Sequence, residues 1–150
     1  MGAGNLTDIA LRNMIRAGVV RGPRILAAAN ALGITGGHCD TNGYIPGILE
    51  PQPGDGIADG ADQIIKEVRL QVKRGADVIK FCATGGVLSE GDAVGVQQYS
   101  AVEMEALVKE DHHTERRVAA HAHGNPGNKV SVRAGVDSIE HGSELDEEAI

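Results

Sequence analysis

Residues 117–142, RVAAHAHGNPGNKVSVRAGVDSIEHG, contain two short apolar runs that each lead into histidine and glycine. Val118-Ala119-Ala120 runs into His121-Ala122-His123-Gly124, and Val136-Asp137-Ser138-Ile139 runs into Glu140-His141-Gly142. One helix-length segment separates them and stops at Arg133-Ala134-Gly135. Side chains alternate across a strand, so His121 and His123, two apart, share a face. Imidazoles from adjacent parallel strands can converge on one ion beyond the C-terminal edge of a sheet, as zinc sites require. A lone histidine at a strand end is more often a structural hydrogen-bonder. Two consecutive strands ending H-x-H-G and E-H-G weigh toward a ligand set.

The same unit recurs outward from this stretch. Ile15-Arg16-Ala17-Gly18, Val72-Lys73-Arg74-Gly75 and Val132-Arg133-Ala134-Gly135 each place a cation at the negative end of a helix dipole, with glycine after it. The 60 residues from Gly75 to Gly135 accommodate two strand-helix units of 30 each. Such alternation predicts a parallel sheet with right-handed crossovers. The expected elements are a helix over 5–17 capped by Asn5 or Thr7, a strand over 24–29, and an amphipathic helix over 61–74. A strand over 77–83 follows, then a helix from the Ser100-Ala101-Val102-Glu103 capping box to about His112. Next come a strand over 116–122, a helix, a strand to His141, and the opening of another helix at 145–150 with Asp146 as cap. This is an α/β chain of about four parallel strands with flanking helices. Two glycine-rich loops, 35–60 and 84–99, follow strands, which in a (β/α)8 barrel places them on the catalytic face.

Length and composition set limits. The chain has 150 residues, short against the roughly 250 of a closed (β/α)8 barrel. Residues 1–150 are therefore expected to be the incomplete, central part of a barrel. Aromatics are 2% of the chain and net charge is −7, which argues against a base-stacking platform and against a nucleic-acid partner. No apolar run reaches the roughly 20 residues of a membrane span, and Met1-Gly2-Ala3-Gly4-Asn5-Leu6 lacks signal-peptide and myristoylation patterns. The two cysteines, Cys39 and Cys82, are outside any C-x-x-C pattern. They are expected to be reduced, in a cytoplasmic protein.

Lys80 lies mid-strand among apolar residues, where lysine is rare unless paired, modified or deprotonated. On an edge strand it would simply be solvated. Otherwise it is a Schiff-base amine or a lysine carboxylated by carbon dioxide that bridges two metals. His38, in Gly36-Gly37-His38-Cys39-Asp40, falls in the first long loop, and Asp40 could orient it or serve only the turn. His112 and His113 fall at a helix end on the opposite face and read as solvated surface.

Gly22-Pro23-Arg24-Ile25-Leu26, Gly36-Gly37-His38, Gly75-Ala76-Asp77-Val78-Ile79-Lys80, the run from Val118 to Gly124 and the run from Ala134 to Gly142 resemble, in this order, the metal-dependent amidohydrolase superfamily. They are most similar to its imidazolonepropionase-like branch, with its prolidase-like dipeptidases and carboxypeptidases. The resemblance implies a distorted TIM-type barrel with one or two divalent metals, usually zinc. It implies hydrolysis of C–N bonds in small amides, such as dipeptides or N-acyl amino acids, by metal-activated water. Lys80 matches the carboxylated lysine of barrel strand four, His121 the ligand of strand five, and His141 the ligand of strand six. His123 and His38 match substrate-contacting positions. The family's H-x-H pair of strand one and its catalytic aspartate of strand eight have no counterpart in the 150 residues, so no catalytic acid or base is assigned. The alternatives are a lyase barrel using Lys80 as a Schiff base and a non-catalytic fragment. An open half-barrel would associate through its edges with another copy or with its missing half.

Overall fold

Three strands carry the site. In the computed structural model, which describes residues 2–150, they are β1 (Val78–Cys82), β2 (Arg117–Ala122) and β3 (Ser138–His141), parallel and in the order β1-β2-β3. Met1, where the leader reading begins, is outside the described residues. The helices are α1 (Thr7–Arg16), α2 (Ala61–Arg74), α3 (Ala101–His113) and α4 (Asn125–Ala134). Lys80 pairs with Ala119 across β1 and β2, and His121 with Glu140 across β2 and β3.

Alternation divides the sheet into two faces. Ile79 and Phe81 of β1 and Val118, Ala120 and Ala122 of β2 join Ile64 and Val68 of α2 and Met104, Leu107 and Val108 of α3 in one buried cluster. Each fully buried aliphatic side chain of this kind contributes about 1.5–3 kcal/mol. The other face is built of small or short groups, with Val78 and Ala119 packed on Ala28. Lys80 and His121 lie on that second face, buried at 6% exposure each.

The expected helix ends are present. Gly18, Gly75 and Gly135 have φ of +73°, +101° and +91°, a left-handed backbone that glycine adopts without steric cost. After each of them an amide bonds back to a last-turn carbonyl: Val19 to Met14, Ala76 to Gln71 and Val136 to Ser131. The capping box of α3 is complete, with Ser100 accepting from the Glu103 amide and Glu103 accepting from the Ser100 amide. Pro126 occupies the first turn of α4, where a missing N–H leaves no bond unmade.

Four expectations need correction. Residues 24–29 form no ladder strand. The last three amides of the run are taken by side chains instead, Ala27 N by Asp77 and Ala28 N and Ala29 N by Asp8. The fourth-strand contact comes later and is short, a parallel bridge from Leu32 to Phe81. Neither Asn5 nor Thr7 caps α1; its N-cap is Leu6, left-handed, with no side-chain cap. Residues 145–150 make a turn rather than a helix, although Asp146 accepts from the Glu148 and Ala149 amides as a cap would. Cys39 and Cys82 are joined in a disulfide, their Cα atoms 6.1 Å apart. Leu32 bonding to both Lys80 and Cys82 brings the loop that carries Cys39 against the end of β1. The bond removes the cysteine-based argument for a reducing compartment. Among the described residues no helix is long and apolar enough to cross a membrane.

Candidate metal centre

The histidines collect at the C-terminal ends of β2 and β3. One ring nitrogen from each of His121, His123 and His141 lies within 4.8 Å of the others. His121 is the next-to-last residue of β2, whose buried run ends at Ala122, and His123 follows two residues later on the same side. His141 would face the other way by alternation, but its backbone is left-handed, with φ 75°. Strand geometry therefore ends at His141, and its ring stacks on His123 at 4.6 Å between centroids. The His121 ring stands edge-on to both, 4.9 Å from His123 and 4.7 Å from His141.

His121 Nε2 is buried and has no hydrogen-bond partner. A buried polar nitrogen without a partner is rare and calls for an occupant. Burial, and then the neighbouring His38, His141, Lys80 and His123, push its pKa down to about 3. It is thus a neutral imidazole at physiological pH, the form that binds a metal ion. His123 Nδ1 bonds Ser143 Oγ at 2.9 Å, and Thr84 Oγ1 accepts from the His123 amide at 3.0 Å. The donor set, its closeness and the orphaned nitrogen fit a divalent cation.

Lys80 turns toward Glu140 and forms an ion pair with it. Burial lowers the lysine's pKa against the opposing effect of Glu140. Solvation of Lys80 on an edge strand is thereby set aside, because β1 is covered on both faces. His38 stacks on His121 at 4.3 Å, so the first glycine-rich loop does reach the cluster. Asp40 does not orient His38; it accepts from the Gly36 and Thr41 amides as a turn residue. Beside His38 opens a cleft of about 630 Å³, lined by Asp40, Tyr44, Leu88, Ser89 and Glu90 among others. His112 lies at the far end of the sheet, bonded to Asp137 at 3.1 Å.

Sequence reasoning missed Glu140 as the partner of Lys80, although Glu140 stands next to His141 in the E-H-G motif. It also missed Ser89, which contacts His38, and Asp92, which accepts from Ser89, both in a loop with no periodic signal.

Comparison with known proteins follows the same lines. The model of the family described as "Amidohydrolase family" matches residues 1–149. An Aspergillus niger ochratoxinase is 38% identical over 147 residues, covering 89% of this chain and 31% of that protein. A Xaa-Pro dipeptidase crystallised with methionine in its active site superimposes with a TM-score of 0.95 at 42% identity, covering 99% of this chain and 37% of the other. A prolidase complexed with N-methylphosphonate-L-proline gives 0.86 at 36% identity, covering 93% and 36%. The chain spans about a third of the length of these relatives. Its strand-end histidines thus occur in a backbone shared with known hydrolases, and the chain belongs to the amidohydrolase family.

Proposed function

We propose that this chain supplies one wall of a metal-dependent hydrolase site for amide or peptide-like C–N bonds in small substrates. Residues 1–150 would be the central part of the barrel. The single observation that carries the reading is the trio His121, His123 and His141 around an orphaned buried nitrogen. The similarity to a Xaa-Pro dipeptidase and a prolidase favours dipeptides and N-acyl amino acids as substrates.

His121 and His141 would hold a divalent ion, zinc suiting the nitrogen donors, with His123 beside them as third ligand or substrate contact. Such an ion supplies an activated water and polarises the scissile carbonyl. Once released from Glu140, Lys80 would react as its free amine with carbon dioxide, forming a carbamate and releasing one proton, and the burial that lowers its pKa supports this reading. The carbamate would add an anionic donor to the histidines. His38 would contact substrate from the cleft, and the loops over 35–60 and 84–99 would keep bulk water out. The Schiff-base alternative has less support, because it would leave the three clustered imidazoles without a task. β3 is an open sheet edge, suited to pairing with a second copy or with the rest of a barrel.

Calorimetric titration of the purified chain with zinc or cobalt tests the proposal. The expected result is one ion per chain, held weakly. His121→Ala should weaken binding by more than the 10–100-fold that loss of an outer hydrogen-bond partner costs. Equal binding by wild type and variant would remove His121 from the ligand set and overturn the reading.

A further inference from the structure

We infer that Ser89 and Asp92 are positioning residues that hold His38 as its Nδ1–H tautomer, leaving Nε2 as a hydrogen-bond acceptor for an amide N–H or amine of the substrate. The inference deepens the reading of His38 as a substrate contact and rests on it.

The assignment follows from counting donors. His38 Nδ1 lies 2.8 Å from Ser89 Oγ. The Ser89 hydroxyl donates in turn to Asp92 Oδ1. A carboxylate only accepts, and a serine has one proton. That proton is committed to Asp92, so the contact between His38 and Ser89 requires the proton on Nδ1. The opposite tautomer would set a bare Nδ1 against an oxygen with no proton to share.

A second path fixes the same ring. The His38 backbone N–H donates to Gln98 Oε1 at 3.1 Å, and Gln98 Nε2 donates to Asp92 Oδ2 at 2.9 Å. A backbone N–H can only donate, which sets the orientation of the Gln98 amide without reference to the ring. Asp92 therefore receives one donor on each oxygen and holds His38 through both its ring and its backbone. The ring stacks on His121 and is also packed against Gly86. Any Cβ at position 86 would collide with the imidazole, so glycine is what lets the loop close on it. Nε2 has no hydrogen-bond partner among the described residues, and His38 lines the 630 Å³ cleft. A neutral imidazole with Nε2 unprotonated accepts from N–H groups and repels a carboxylate.

Long-range proton–nitrogen spectra of the imidazoles in the metal-free full chain at pH 8 report the tautomer, with His38 assigned by its loss in His38→Gln. Wild type should show a protonated Nδ1 and a bare Nε2 at His38. Asp92→Asn lets residue 92 donate to Ser89 and frees the serine proton, so the tautomer ratio should shift toward Nε2–H. Ser89→Ala should shift it the same way without touching the Gln98 path. An Nε2–H His38 in wild type would overturn the inference. So would wild-type tautomer spectra in both variants while their backbone amide spectra stay native. Metal titration of the wild-type chain fails or succeeds separately, so loss of the hydrolase reading is distinguishable from loss of this one.

Discussion

The two ends of the sheet treat their polar groups differently. At the N-terminal end, Asp77 accepts from the Ala27 amide and pairs with Arg12 and Arg16. Two units later, Asp137 accepts from the Val118 amide and from His112. Burial works against ionisation of Asp77, but the Ala27 amide and Arg12 hold its carboxyl below the usual range. At the C-terminal end, His121 Nε2 has no partner and three imidazoles lean on one another. The first end is closed by its own residues and serves the fold. The second is left open, at the edge where barrels of this kind carry out their chemistry. One residue breaks the pattern. Asp111 is fully buried near the closed end, both its oxygens lack partners, and burial followed by Glu110 and Asp137 pushes its pKa up to about 8.

The comparison can be broken first at Asp77. Asp77→Ala leaves Arg12, 6% exposed on its side chain, without its counter-charge. Loss of one partner of a buried pair costs about 3–5 kcal/mol, to be read from urea unfolding. A loss below about 1 kcal/mol, the ceiling for an exposed pair, would show that the closed end does not hold the fold.

Next in size is the pH dependence of the metal-free chain. Folding keeps His121 neutral down to about pH 3, against an ordinary histidine value of 6.5. Between those values the unfolded chain binds the extra proton, so this contribution rises with pH. Folding keeps Asp111 protonated up to about pH 8, against an ordinary aspartate value of 3.8. Over that interval the folded chain binds the extra proton, so its contribution falls with pH. The two oppose each other below pH 6.5, and only Asp111 acts from there to pH 8. Stability should drop by about 2 kcal/mol over that interval, at about 1.4 kcal/mol per pH unit for one proton. Thermal unfolding across the range checks this, and Asp111→Asn should abolish the drop. The same drop in the variant would assign it to another group.

The smallest effect sharpens the contrast at the open end. Ser100→Ala removes a satisfied cap at the start of α3 and should cost about 1 kcal/mol, measured by urea unfolding. Zinc titration should be unchanged. A change in zinc binding would mean that the caps there belong to the site.

Much of this was legible beforehand. The helix ends at Gly18, Gly75 and Gly135 were readable because a helix C-terminus is decided within a few residues. The α3 capping box was readable for the same reason. His121 and His123 share a side because alternation has period two. The run 24–29 misled because its apolar pattern says nothing about Asp8 and Asp77, which take its amides from elsewhere in the chain. The His38 clamp was invisible because Ser89, Asp92 and Gln98 lie in a loop whose course no periodicity encodes.

By itself the sequence determined the C-terminal ends of α1, α2 and α4, the start of α3, the parallel strand-helix rhythm and the delivery of histidines to strand ends. These depend on hydrogen bonds and side-chain directions only a few residues apart. The tertiary structure alone decided that Lys80 meets Glu140, that Cys39 meets Cys82 and that Ser89 meets His38, across separations of 60, 43 and 51 residues. Such pairs form only once strand register and loop packing are set, and both depend on the burial of Ile79, Phe81, Val118 and Ala120 against the helices.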